Sequence, residues 1–251
     1  MVSVLRINNE AIKVSFNNQE RLENLAGRIA EQIETDSLSL LKAFTDASFL
    51  KENNFNLNTG LAMYIPNSYQ VYWNTSAEAF RDKMLVEYKK FWNEKRLAKA
   101  EKINLSPIEV TTLASIVHKE TVKVKERPRV AGVYMNRVKK GMKLDADPTV
   151  IYAMKKYSNN WDRVIKRVLL KDLKLKHPYN TYQNVGIPQG PIAMPDISAI
   201  DAVLNYEKHN YFYFVADVKN FGFHKFASTL AQHNRNSASD HKWVNNLGIS
   251  R

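Results

Sequence analysis

Residues 106–120 read SPIEVTTLASIVHKE, and this stretch decides how the rest of the chain is interpreted. Ser106 is followed by Pro107 and Glu109, which is the pattern of a helix start. A serine caps the helix, proline suits its first position, and a glutamate three residues on reaches back to the cap. The pattern predicts a helix from Pro107 to about Val122.

One position of this helix breaks its apolar stripe. Residues spaced three and four apart form the stripe: Leu113, Ile116 and Val117. The next position on it is Glu120. A carboxylate on a core-facing stripe costs free energy unless it is paired or stays protonated. Desolvation raises its pKa, which suits a general acid. The alternative is a structural ion pair with Arg127 or Arg137.

Composition narrows the class of protein. The chain has 251 residues, 44% of them hydrophobic, and a net charge of 37 − 25 = +12. It is globular, with one large domain or two small ones. Because cysteine is absent, disulfides and thiolate zinc sites are excluded. The histidines lack metal-ligand spacing, and there is no GxSxG elbow or Gly-rich phosphate loop. We therefore predict no metal and no cofactor.

The basic excess indicates an anionic partner, with solvated helix faces as the alternative. It is concentrated in residues 119–176, which hold 17 Lys and Arg against 6 Asp and Glu. No zinc-finger spacing, RNP-type strand or basic zipper accompanies it, so nucleic-acid binding has only the charge in its support.

Periodicity and capping signals predict a mainly helical chain with a short sheet. We expect a strand at 211–216 paired with 223–226, and a long ordered loop at 177–195, which is typical of functional loops. The charged residues 94–102 mark a candidate boundary between two lobes. Helices are predicted at 18–34, after Ser37, from Thr75 (a capping box), at 107–122, 128–140 and 147–157, from Asp196, and from Ser228.

Several blocks of this sequence, in order, resemble the endolytic murein transglycosylase (YceG-like) family. They are LASIVHKET (113–121), VYMNR (133–137), GMKL (141–144), DPTVIY (147–152), YNTY (179–182), GIPQGPI (186–192), YFYFVAD (211–217) and HN (233–234). His118 stands where many relatives have Glu. The resemblance implies an α+β fold with two parts. Residues 1–102 would form a small, incomplete LysM-like lobe with a connecting helix, and 103–251 a mainly helical catalytic domain with a short antiparallel sheet, with the cleft between them.

The resemblance also implies an activity, cleavage of the β-1,4 bond between N-acetylmuramic acid and N-acetylglucosamine within glycan strands, without water. Glu120 would protonate the leaving oxygen and then take the proton of the muramic C6 hydroxyl, which closes a 1,6-anhydro ring. Asp147 would orient or charge-balance the site, although a helix N-cap would also explain it. Asn136 and Arg137 would position Glu120 or contact peptide carboxylates. Substrate contacts would come from Asn180, Tyr182 and Gln189, for which turn chemistry is the alternative.

The implied setting is the cell envelope. Family members normally begin with a membrane anchor, so we expect a single-pass anchor upstream of residue 1 and a position at the periplasmic face of the inner membrane. The expected partners are peptidoglycan glycan strands and peptidoglycan synthases, with no nucleic acid and no membrane contact except through the anchor. Two other functions stay open, a non-catalytic murein-binding module and a basic nucleic-acid-binding protein. A hydrolase with Asp147 as second carboxylate is also compatible with these residues.

Overall fold

The computed structural model describes residues 11–246, with side chains as far as residue 238. Main-chain contacts divide the chain into two compact units. The first ends at Ala98 and takes in Ala193–Ile197; the second comprises Lys99–Ile192 and the chain from Ser198 onward. The two domains expected at 1–102 and 103–251 stay a prediction. The sequence did not indicate that residues 193–197 pack with the first unit.

The first unit contains a two-stranded antiparallel sheet. Strand β1 (Ala11–Phe16) pairs with β2 (Asn67–Tyr72). Phe16 stacks on Tyr69 with ring centroids 5.6 Å apart. The helices of this unit are α1 (Leu22–Ala30), α2 (Ser37–Phe44), α3 (Ala47–Glu52) and α4 (Ala77–Phe91). Their apolar faces supply a core that includes Leu25, Ile29, Phe44, Phe80 and Met84.

Two details of this unit differ from the prediction. The capping box predicted Thr75 as the cap of α4, but Ser76 caps it by accepting a hydrogen bond from the Ala79 amide. Thr75 does not cap the helix, because its hydroxyl instead donates a hydrogen bond to the Tyr72 carbonyl at 2.6 Å. Helix α1 is also shorter than predicted. Whether this unit is LysM-like stays a prediction.

The second unit is mainly helical with a second short sheet. Its helices are α5 (Glu94–Lys102, which spans the division), α6 (Pro107–Glu120), α7 (Arg127–Lys139), α8 (Asp147–Ser158), α9 (Ile197–Leu204) and α10 (Leu230–Asn246). Strands β3 (Tyr213–Ala216) and β4 (His224–Ala227) form an antiparallel pair with Phe214 opposite Phe226. The α+β class is therefore confirmed. No helix within residues 11–246 combines the length and hydrophobicity needed to cross a lipid bilayer.

Helix α6 is the buried centre of the second unit and packs on α7 and α8. Its start is as predicted, because Ser106 and Glu109 form a complete capping box with Pro107 in the first turn. Every residue from Val110 to Val117 is buried, not only one stripe. Its hydroxyl groups tolerate burial because they donate to main-chain carbonyls of the helix: Thr111 to Pro107, Thr112 to Ile108 and Ser115 to Thr112.

Strand β3 is not the buried strand that its apolar run predicted. Its residues are half-buried, and Ala216 is exposed. The strand belongs to a sheet of only two strands, packed against α10. A sheet of this size cannot cover both faces of a strand, so the apolar side chains of β3 remain accessible from one side.

Candidate active site

Glu120 lies at the C-terminal end of α6, where the buried part of the helix opens onto a pocket. The carboxyl group accepts a hydrogen bond from the Tyr134 hydroxyl at 2.8 Å. Tyr134 is on α7, is 1% exposed, and packs edge-on against Phe214 of β3. Its ring and hydroxyl are therefore fixed, and they hold Glu120 in one orientation. Within the described chain, Glu120 forms no ion pair with Arg127 or Arg137.

The surroundings of Glu120 favour its protonated form. Burial raises its pKa from 4.5 to about 7, and the negative charge of Asp147 acts in the same direction. The hydrogen bond from Tyr134 and the charge of Arg137 lower the pKa but do not cancel the effect of burial. The C-terminal end of a helix carries partial negative charge, which also disfavours a carboxylate there. Near pH 7 the group can therefore both donate and accept a proton.

Asp147 is the first residue of α8 and is exposed. The alternative that it caps this helix is wrong, because Ala146 occupies the cap position and no side chain caps it. The Asp147 carboxylate instead accepts a hydrogen bond from the Tyr182 hydroxyl at 2.7 Å. This contact ties the loop at 177–195 to the start of α8, and it brings two of the predicted site residues together.

Arg137 also lines the pocket. It is 7% exposed, and its guanidinium donates hydrogen bonds to main-chain carbonyls and to one carboxylate. Its Nε donates to the Phe212 carbonyl at 2.6 Å. Nη1 donates to the Leu144 carbonyl and to the Asp145 carboxylate, each at 2.9 Å. The guanidinium thus connects α7 with the residue before β3 and with the segment before α8, and it supplies one positive charge beside Glu120.

The pocket around Glu120 has a volume of about 430 Å³, within the range of small-ligand sites. Its lining mixes titratable groups with apolar walls from Leu144 and from β3. Such a surface suits sugars, which need donors and acceptors beside an apolar face. Burial and the charge of Arg137 lower the pKa of His233, which favours a neutral imidazole there. The polar lining residues are Glu120, Tyr134, Arg137, Asp145, Asp147, Tyr182, Tyr213, His224 and His233.

Three predicted site residues lie outside this lining. Asn180 is fully buried and holds the loop, because its side-chain amide donates to the Leu173 and Leu175 carbonyls. Asn136 donates to the carbonyls of His209 and Tyr211. Gln189 is exposed. Their role in substrate binding stays a prediction, and the contacts of the two asparagines explain them as structural residues.

The pocket contains residues that sequence reasoning missed. Tyr134 lies within a quoted block, but nothing in its spacing indicates a contact with Glu120. Asp145, His224 and His233 likewise come from separate elements. His118 lies outside the lining, and its Nδ1 is within 3.2 Å of the Arg127 guanidinium. No group of three or more potential metal ligands occurs in the part of the chain that the structure describes.

Replacing Tyr134 by Phe should raise the pKa of Glu120 further. The phenol hydrogen bond lowers that pKa at present, and the Phe ring would keep the packing against Phe214. The lost bond should cost about 1 kcal/mol of stability. Titration of a ¹³C-labelled Glu120 carboxyl by NMR would measure the shift. An unchanged or lower pKa in the variant would contradict this account.

Replacing Arg137 by Lys should destabilise the second unit while keeping the positive charge. An ammonium cannot reproduce the fork that binds three main-chain carbonyls and Asp145, so these acceptors would lose their partners. We expect a loss of about 2 kcal/mol in urea unfolding. Lys139→Arg, on the exposed end of the same helix, is the matched control and should leave stability within about 0.5 kcal/mol of the wild type. Equal stability of the two variants would refute the structural role.

Comparison with known proteins shows which family the chain belongs to. The sequence model of the YceG-like family matches residues 1–239 of this chain. The chain belongs to the YceG-like family. The resemblance read from the sequence blocks is thereby confirmed. A crystal structure of a YceG-like protein from Listeria monocytogenes superposes with a TM-score of 0.74 at 30% identity, covering 89% of this chain and 75% of that one.

Curated relatives that match this chain carry the name endolytic murein transglycosylase, among them proteins of Bacillus subtilis and Streptococcus pneumoniae. The protein of Bacillus subtilis (strain 168) is 30% identical over 241 residues, which are 90% of this chain and 64% of the relative. The protein of Streptococcus pneumoniae serotype 2 is 34% identical over 173 residues, 69% of this chain and 31% of the relative. The chain thus spans about a third to two thirds of the length of these family members.

Proposed function

We propose that this chain is an endolytic peptidoglycan lytic transglycosylase, a carbon–oxygen lyase that cleaves the bond between N-acetylmuramic acid and N-acetylglucosamine within glycan strands. The proposal rests on Glu120. Its carboxyl group has a pKa of about 7 and lies in a pocket whose mixed polar and apolar lining suits a saccharide. The names of the two relatives support the same substrate. The site of action is then the cell envelope, with glycan strands as partner and peptidoglycan synthases as candidate protein partners.

The reaction needs one proton donor for the leaving oxygen. Glu120, protonated by its surroundings, donates to the glycosidic oxygen as the bond to C1 breaks. The C6 hydroxyl of the muramic sugar attacks C1 and gives up its proton to a base. One C–O bond breaks, one forms, and the products are a 1,6-anhydro end and a free C4 hydroxyl. The family resemblance assigns the removal of the hydroxyl proton to Glu120 as well.

A protein nucleophile is unnecessary in this scheme, because the substrate supplies its own. That separates it from glycoside hydrolysis, in which a second carboxylate attacks C1 or activates water. Asp147 is available as a second carboxylate, but its Oδ1 already accepts a hydrogen bond from the Tyr182 hydroxyl. We assign Asp147 the role of a fixed negative charge that keeps Glu120 protonated.

Digestion of purified murein in H₂¹⁸O tests the proposal. Mass spectrometry should find anhydro-muramic ends, each one water lighter than a reducing end and without ¹⁸O. Reducing ends that contain ¹⁸O would show a hydrolase instead. Binding to insoluble murein without release of soluble fragments would favour the non-catalytic murein-binding module. Retention on DNA at physiological salt, with no binding to murein, would favour the nucleic-acid alternative.

A further inference from the structure

Another carboxylate, that of Glu126, is buried close to the pocket and has no part in the reaction scheme above. Glu126 is 6% exposed, at the end of the short 3-10 turn before α7. A buried carboxylate costs free energy unless hydrogen bonds compensate it. Glu126 receives them from the main-chain amide of His224 at 2.7 Å and from the Thr121 hydroxyl at 3.1 Å. Its remaining contact is to the His224 ring, with 2.7 Å between Oε2 and Nδ1.

The His224 ring is held rigidly in the wall of the pocket. His224 opens strand β4, its side chain is 14% exposed, and its ring packs edge-on against Phe214 at 5.1 Å. Phe214 also packs against Tyr134, the hydrogen-bond partner of Glu120. One aromatic side chain thus supports both Tyr134 and His224, and the imidazole lines the same pocket as Glu120.

The contact with Glu126 decides which nitrogen of His224 is left as a hydrogen-bond acceptor. A carboxylate only accepts hydrogen bonds, so Nδ1 carries a hydrogen. In the neutral ring, Nε2 then holds a lone pair. Among the residues that the structure describes, Nε2 has no hydrogen-bond partner. The pocket therefore contains an oriented proton acceptor, with a carboxylate behind it that would stabilise the imidazolium, the logic of a Ser-His-Asp triad.

We propose that His224 is the base of the reaction and that Glu126 is the positioning residue that orients it. The inference rests on the proposed function and divides its two proton transfers between two groups. Glu120 gives its proton to the leaving glycosidic oxygen. Nε2 of His224 takes the proton of the muramic C6 hydroxyl as that oxygen bonds to C1. Afterwards the imidazolium releases a proton to solvent and the Glu120 carboxylate takes one up, which restores both groups.

Two variants of His224 separate its two nitrogens. Asn places a polar atom near the position of Nδ1, so His224→Asn keeps a donor for Glu126 but removes the acceptor in the pocket. Its kcat should fall about 100-fold, with KM and melting temperature near those of the wild type. Gln reaches the position of Nε2 but cannot act as a base, so His224→Gln should be as slow. Glu126→Gln, which keeps the shape but removes the charge, should lower kcat about tenfold.

Chemical rescue distinguishes a base from a structural residue. Imidazole added to His224→Ala should restore part of the lost kcat, whereas it should not affect Glu120→Gln. His177→Asn is the matched control, because His177 lies outside the pocket lining and its Nδ1 accepts the Tyr179 amide, as an Asn oxygen can. That control should keep wild-type kcat.

A His224→Asn enzyme that is folded and as fast as the wild type would overturn the inference and leave Glu120 with both proton transfers. Slow His224 variants that imidazole does not rescue would also overturn it, in favour of a structural role. In either case the wild type would still produce anhydro ends. Absence of anhydro ends from the wild-type digest would instead refute the proposed function itself.

Discussion

Glu120→Gln should lower the rate of murein cleavage by about 1,000-fold, the effect expected from loss of a general acid. Gln has the shape of protonated Glu, and its side-chain oxygen can still accept a hydrogen bond from the Tyr134 hydroxyl. It has no proton to give to the leaving oxygen. The variant should therefore bind murein as the wild type does, and the loss should appear in kcat and not in KM. Release of soluble fragments, followed by mass spectrometry, measures the rate.

The matched control is Glu101→Gln, on the exposed surface of α5 and outside the pocket lining. It makes the same chemical change in the same unit, so it should retain full activity. Tight binding of murein by the Glu120 variant together with low activity would show that the pocket is intact. If Glu120→Gln kept more than a tenth of the wild-type rate, Glu120 would not be the proton donor.

The stability of the protein should fall between pH 4.5 and pH 7 because of Glu120. Burial raises its pKa to about 7 in the folded protein, whereas the unfolded chain has the ordinary value of 4.5. Below pH 4.5 both states hold the proton, so the group has no effect. Between the two values only the folded state holds it, and raising the pH favours unfolding. Above pH 7 the loss is complete, and the difference of 7 − 4.5 = 2.5 pH units corresponds to about 3 kcal/mol at most.

Glu120→Gln removes this dependence because the amide does not titrate. The variant should be more stable than the wild type at pH 8, by up to about 3 kcal/mol, with a much smaller difference at pH 4. Urea unfolding of both proteins at the two pH values gives the comparison, and the other titratable groups cancel from the difference. Glu101→Gln should parallel the wild type throughout. A Glu120→Gln curve parallel to the wild type would show that the carboxyl has an ordinary pKa.

Local signals predicted the helices around the site well. The capping box of Ser106 and Glu109 began α6 where it was expected, and Gly141, just after α7, has the positive φ of 62° that suits a glycine at a helix end. These predictions depend on contacts within a few residues, which sequence spacing determines directly. Strand β1 was not predicted, because its extended conformation depends on pairing with β2, more than fifty residues away in the chain.

The sequence by itself determined that α6 carries a carboxylate at the edge of a core, since helical spacing places Glu120 after Ile116 and Val117 whatever surrounds the helix. Only the tertiary structure decided what that carboxylate would meet. Tyr134 reaches it from α7, Asp147 faces it from the start of α8, and the ring of His224 comes from β4 with Glu126 behind it. Helical periodicity relates residues one or two turns apart, whereas a site assembled from four elements depends on packing between them, which no local spacing encodes.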